Sequence, residues 1–228
     1  MNEDQGPFEP IAIIGISCIL PDSPNIDDFW QNIISKKVSF KEVPNERWNH
    51  NDFYSEEKEI NKTYSKIGAF VEGYEFDWRR WRQPPGTLPQ IDICQQWAVS
   101  VSASALEDAG YLGDNGLEFP KDKTSVIFAN ALGGENRNLS NQRVWANRTL
   151  RLAKESGLQD DDVFLSEITK DLPKIDEDTM PGELANVVAG RVANLLDLQG
   201  PNYTTDAACA SSMAAILDAC RLLQLRQV

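Results

Sequence analysis

One thiol in the chain is surrounded by residues too small to pack around it: Thr204-Thr205-Asp206-Ala207-Ala208-Cys209-Ala210-Ser211-Ser212. A cysteine acts as a nucleophile through its thiolate. Gly200-Pro201 interrupts the chain upstream, 202–207 has the character of a short strand, and Met213, Ile216, Leu217 and Cys220 give 211–223 a helical apolar stripe. Cys209 is therefore expected at a strand-to-helix junction. Unsatisfied N–H groups and the positive dipole end at a helix start favour thiolate over thiol. Ala207, Ala208, Ala210 and Ser211 permit a sharp turn and close approach of a substrate to the backbone. This has the logic of a nucleophile elbow, although Gly-x-Ser-x-Gly is absent. The Cys209 backbone N–H would then be one donor to a developing oxyanion. The competing reading is a small buried hydrophobe, and spacing alone leaves both open.

The remaining reactive residues are sparse. Cys18, Cys94 and Cys220 lie in or beside apolar segments and read as packing residues. Without Cys-x-x-Cys or a Cys/His cluster, neither a metal site nor a disulfide framework is expected, and a reduced, cytoplasmic setting is. A redox-thiol reading would need a resolving cysteine, and Cys220 points elsewhere. The single histidine, His50, sits in Trp48-Asn49-His50-Asn51 and reads as an exposed loop residue. A net charge of −13 disfavours nucleic acid and anionic membrane as partners. No apolar run reaches the length of a membrane span, and the acidic opening MNEDQGPFEP shows no signal peptide.

The elements that must position Cys209 follow from pattern. A length of 228 residues with 41% apolar and 25% charged residues suits a soluble domain with a real core. Ile11–Ile16 reads as a strand buried on both faces; the Gly-x-Gly-x-x-Gly spacing of a dinucleotide loop is missing after Gly15. Asn25 reads as an N-cap, with Asp27 and Asp28 in the first turn and Phe29, Trp30, Ile33 and Ile34 as the apolar stripe. Residues 40–90 look loop-rich. Ile91–Ala109 reads as a helix, with Trp97, Val101 and Ala105 at i+4 steps and Gly110 as its stop. Thr124–Ala129 reads as a second buried strand ending in the turn Asn130–Gly134, a favoured ligand position in α/β sheets. Residues 141–154 look helical and basic on one side, 155–183 look like an acidic, solvated connection, and 182–196 reads as a helix. The class is α/β, with 1–228 as one unit.

At this point the chain resembles a family. Thr204–Ser212 is similar to the active-site signature of β-ketoacyl synthases, the condensing enzymes of fatty-acid and polyketide assembly. Pro10–Cys18 resembles the family's opening strand, Ile26–Trp30 its first helix, Leu106–Tyr111 the end of a later one, and Val188–Arg191 through Leu198–Pro201 the approach to the cysteine. Lys66–Phe70, Phe76–Trp78, Pro84-Pro85 and Gln90–Asp92 look closest to ketosynthases of iterative synthases that make polyunsaturated or long-chain glycolipid acyl groups.

The resemblance implies a thiolase-like fold of layered α/β structure with a mixed sheet, and a decarboxylative Claisen condensation. Cys209 would take an acyl chain from a phosphopantetheine thioester on an acyl carrier protein, with no cofactor bound directly and a homodimer as the assembly. The family also uses two histidines from the second half of its domain, and His50 matches neither motif. The chain is therefore expected to be an N-terminal half, incomplete and inactive alone, that needs the C-terminal half. The alternative is a non-catalytic structural or docking half that pairs with another chain. Cys94, in Ile91-Asp92-Ile93-Cys94-Gln95-Gln96, stands where the family more often has Pro. Trp78-Arg79-Arg80-Trp81-Arg82, a pattern that can stack and neutralise nucleic acid, reads here as a turn with inward tryptophans, or as a docking patch for an acidic carrier protein.

Overall fold

The computed structural model describes residues 9–157 and 161–228. Most of the acidic opening (1–8) and Asp160 lie outside the described residues. The chain forms two compact units: Ile16–Glu75, and the flanking chain up to Gly15 with Phe76–Val228.

In the 16–75 unit, α1 (Ile26–Ile34) starts where Asn25 caps it: its Oδ1 accepts the Asp28 N–H at 2.9 Å, above Asp27 and Asp28 in the first turn. The chain then leaves the helix through Lys36 at φ 55°. A two-residue strand β1 (Lys41–Glu42) precedes the one-turn α2 (His50–Phe53) and pairs antiparallel with β2 (Ile67–Gly68). The apolar stripe of α1 is present but uncovered, with Trp30, Ile33 and Ile34 at least half exposed. His50 is not an exposed loop residue. It opens α2, is half-buried, sets Nε2 against the Val43 carbonyl and meets Trp48 edge-on.

The second unit carries the core. Here α3 (Ile93–Asp108) packs on α7 (Val187–Leu195), and α7 packs on both β3 (Val126–Ala129) and β4 (Asn202–Thr205). Val99, Val188, Ala189 and Val192 are at most 2% exposed and form its centre. The strands pair in parallel from Val126 opposite Asn202 to Ala129 opposite Thr205. Parallel neighbours need a long crossover. It is supplied by α4 (Asn136–Glu155), α5 (Asp161–Thr169), α6 (Thr179–Glu183) and α7. Two of these helices, α5 and α6, lie within the acidic stretch 155–183. Arg143 ties α4 to the end of α5 by donating to the carbonyls of Thr169 and Leu172. After β4, α8 (Ser211–Gln224) packs back on β3 and β4.

Three further sequence expectations change. Ile11–Ile16 forms no strand, and Ile13, Ile14 and Ile16 are 88%, 61% and 56% exposed. Among the described strands, β3 and β4 pair with each other and the 11–16 run pairs with neither. Gly15 lies so close to α3 that a Cβ there would overlap the Ala105 carbonyl. On α3 the buried face is Gln95, Ala98, Val99 and Ala103 rather than the Trp97–Val101–Ala105 row, because a fully buried glutamine carries a hydrogen-bonding task that hydropathy does not register. On α8 the covered residues are Ser211 and Ala215, while Met213, Ile216 and Leu217 face out at 68%, 57% and 49% exposure.

Candidate active site

Because β3 and β4 run in parallel, both carboxyl ends emerge on one side, where ligands of α/β sheets collect. From β3 emerges Asn130–Gly134, turned tightly by Gly133 at φ 73°, whose N–H donates to Asn130 Oδ1 at 2.6 Å. From β4 emerges Asp206–Ala210. A cleft of about 390 Å³ at these ends is lined by Asn130, Arg137, Glu183, Asn186, Thr204 and Asp206 among others. A larger cavity of about 540 Å³ lies between the start of β3 and the end of α8, lined by Ser125, Ile127, Leu222 and Leu223 and away from the cysteine turn.

The turn after β4 is built by side chains. Ala208 has φ 50°, a left-handed conformation in which Cβ crowds the following carbonyl. Asp206 Oδ1 accepts the Ala208 N–H at 2.9 Å. Buried Ser211 uses its hydroxyl twice, accepting the Ala207 N–H at 2.9 Å and donating to the Ala208 carbonyl at 2.6 Å. The Ala210 N–H donates to Ala207 and the Ser211 N–H to Ala208. Among the described residues, the Cys209 N–H alone in 207–211 meets no acceptor. Cys209 itself is exposed, in a single 3₁₀ turn, Ala208–Ala210, directly before α8.

A buried polar hub sets the neighbouring loop. Asp92, 1% exposed, accepts the Cys94 N–H through Oδ1 and the Asn136 N–H through Oδ2, both at 2.8 Å, so one carboxylate starts both α3 and α4. Gly134 passes so near that a Cβ there would overlap this carboxylate. Gln95, with no exposed surface, donates to the carbonyls of Pro181 and Leu184 and accepts from Arg191 Nε at 2.6 Å. Burial holds the Arg191 guanidinium below its ordinary value. Cys94 sits beside this hub; burial first, then the Asp92 carboxylate, push its thiol up to about 12.

Of the other cysteines in this unit, Cys94 lies by the Asp92 hub and Cys220 along α8. Cys220 is eleven residues further along α8, about 16 Å by helix rise and too far for a disulfide. Cys18 and His50 belong to the 16–75 unit, and Cys18 is raised by burial. All four cysteines are free, and the described residues hold no cluster of metal-ligating type. In Trp78–Arg82, Arg79 stacks on Trp78 and Arg80 on Trp81, with Arg80 also paired to Glu107 at 2.6 Å. Sequence reading overlooked Asp206 and Ser211 as turn builders. It also took the Asp92–Gln95 pair only as part of a motif; an Asp immediately before an apolar helical run was the available capping signal.

Comparison with known proteins agrees with this architecture. The polyketide synthase ThaG of Burkholderia thailandensis is 31% identical over 222 residues, 95% of this chain and 3% of that protein. A polyunsaturated fatty acid synthase polypeptide of a Thraustochytrium species is 28% identical over 211 residues, 90% of this chain and 7% of that protein. This chain thus spans a small fraction of the curated relatives it matches. Among solved structures, an oxazolomycin ketosynthase domain of Streptomyces albus superposes with a TM-score of 0.68 at 22% identity, over 94% of this chain and 32% of that one, which supports the thiolase-like α/β fold. The model of the β-ketoacyl synthase N-terminal domain matches residues 8–228, and the chain belongs to that family.

Proposed function

We propose that this chain is the acyl-accepting part of a β-ketoacyl synthase, with Cys209 as its nucleophile. One observation carries the reading: an exposed thiol at the carboxyl end of β4 whose own N–H is the donor left without an acceptor in its turn. In the proposed reaction, Sγ attacks the carbonyl carbon of an acyl thioester on the phosphopantetheine arm of an acyl carrier protein. The oxyanion that forms takes a hydrogen bond from the Cys209 N–H. Its collapse breaks the carbon–sulfur bond to pantetheine, which leaves and is protonated, and the acyl group stays on Cys209. A malonyl thioester then loses CO₂, and its carbanion attacks the acyl-cysteine carbonyl. The new carbon–carbon bond forms as the Cys209 thioester breaks and the thiolate returns.

The two histidines that the family uses in this second step are assigned to sequence outside this chain, since His50 is engaged with Val43. On this reading the chain alone accepts an acyl group and does not condense it, and a homodimer in a reducing, cytoplasmic setting is the working assembly. Four free cysteines fit such a setting, and no helix among the described residues is long and apolar enough to cross a membrane. The test is incubation with a short acyl-pantetheine thioester and mass mapping of the adduct. Acylation confined to Cys209 is expected; no acylation, or equal acylation of all four cysteines, overturns the reading.

The exposed Ile13 and Ile14, together with Met213, Ile216 and Leu217, favour a second reading in which the chain pairs with another polypeptide as a structural half. Sedimentation over a concentration series checks it: a monodisperse, cooperatively melting monomer speaks against it.

A further inference from the structure

We infer that Ser211 is a positioning residue for Cys209: its buried hydroxyl clamps the left-handed turn at Ala208 and thereby keeps the cysteine N–H and sulfur available to a substrate. The inference rests on Cys209 being the nucleophile proposed above. An L-alanine resists φ 50° and relaxes from it unless its surroundings fix it. Two side chains do so here. Asp206 holds the Ala208 N–H. Ser211 reaches back from the first turn of α8 to hold the Asp206–Ala207 peptide, accepting from Ala207 N, and the Ala208–Cys209 peptide, donating to Ala208 O.

The hydroxyl matches this place because it donates and accepts at once. An alanine there leaves the Ala207 N–H without its acceptor and removes one of the two donors on the Ala208 carbonyl, whose remaining partner is the Ser211 N–H. Once Ala208 relaxes toward the right-handed region, the peptide joining Ala208 to Cys209 rotates, and with it the one N–H of the turn that has no acceptor. The sulfur is then no longer fixed at the start of α8. Ser211 does not itself touch the reacting atoms in this scheme.

The test is alkylation of the intact chain with iodoacetamide across a pH series, with the rate at each cysteine read by peptide mapping. Ser211→Ala is expected to slow Cys209 labelling about tenfold at every pH of the series, the loss corresponding to one hydrogen bond. The rate at Cys220 on the same helix stays unchanged, and Ser211→Thr, which keeps the hydroxyl, restores Cys209. Wild-type labelling of Cys209 in Ser211→Ala overturns the inference. If Ser211→Ala does not fold, amide exchange in the wild-type chain decides. Protection of the Ala207 N–H at least about tenfold beyond the unstructured rate supports the clamp, and exchange at the unstructured rate overturns it. Transfer from an acyl-pantetheine to the wild-type chain is scored separately. Its absence, with the alkylation difference intact, removes the nucleophile reading and leaves the clamp; its presence, with equal alkylation, does the reverse.

Discussion

The starts of α3 and α8 each carry a cysteine, and they treat it in opposite ways. Cys94 is the second residue of α3, two positions after Asp92, which caps that helix with a buried carboxylate. Cys209 stands two residues before α8, whose N-cap Ala210 has no side-chain cap bond. The first thiol is shielded and faces a negative charge, so it holds its proton up to about 12. The second is exposed beside alanines and an unused N–H. A helix start is therefore not enough to make a reactive thiol. Burial comes first, and a carboxylate that satisfies the helix N–H groups adds to it by cancelling the field that would favour a thiolate.

The largest consequence is in reactivity. At pH 8 a thiol with pKa about 12 is about a thousandfold less ionised than one at the ordinary 9.0. Timed alkylation is expected to leave Cys94, shielded and held protonated, unmodified long after the exposed Cys209 is complete. Equal rates would break the comparison. Gln95→Leu comes next: it strips Arg191 of its 2.6 Å acceptor and two carbonyls of their donor. A loss of about 3 kcal/mol in urea unfolding is expected, the scale of unpartnered buried polar groups.

Asp92→Asn sharpens the contrast at about 1–3 kcal/mol, since an amide has one acceptor oxygen for the two N–H groups now served. In the same variant Cys94 should alkylate faster, because its negative neighbour is gone. Stability against pH follows the same thiol. The unfolded chain releases the Cys94 proton near 9.0 and the folded chain near 12, so the unfolded state holds fewer protons between these values. Cys94 thus contributes its full stability below pH 9 and loses it as pH rises toward 12. Cys94→Ala should flatten that decline relative to wild type. Smallest is Met213→Ser on the open face of α8, expected within about 0.5 kcal/mol of wild type.

How far the sequence disclosed this depends on how local the determinants are. The cap at Asn25, the strands around Ile127 and Tyr203, and the helices after Asp92 and Ala210 all follow from short-range chemistry and appear nearly where pattern puts them. The position of Cys209 between β4 and α8 was legible for the same reason. Ile11–Ile16 was not, because strand formation depends on a neighbour that no local signal names. Nor was the buried face of α3, where Gln95 outranks Trp97 by bonding across 86 positions to Pro181 and 89 to Leu184. The clamp at Ser211 was hidden differently: Ser beside Ala signals small size, while the use of both hydroxyl functions is visible only once the turn has closed.

The most direct measurement of the central claim is mass mapping of the chain after brief exposure to an acyl-pantetheine thioester, with Cys209→Ala in parallel. An acyl group on the peptide containing Cys209, absent from the variant and from the peptides of Cys18, Cys94 and Cys220, is predicted. Acylation of Cys94 or Cys220 at the same level, or acylation that survives in the variant, would contradict it.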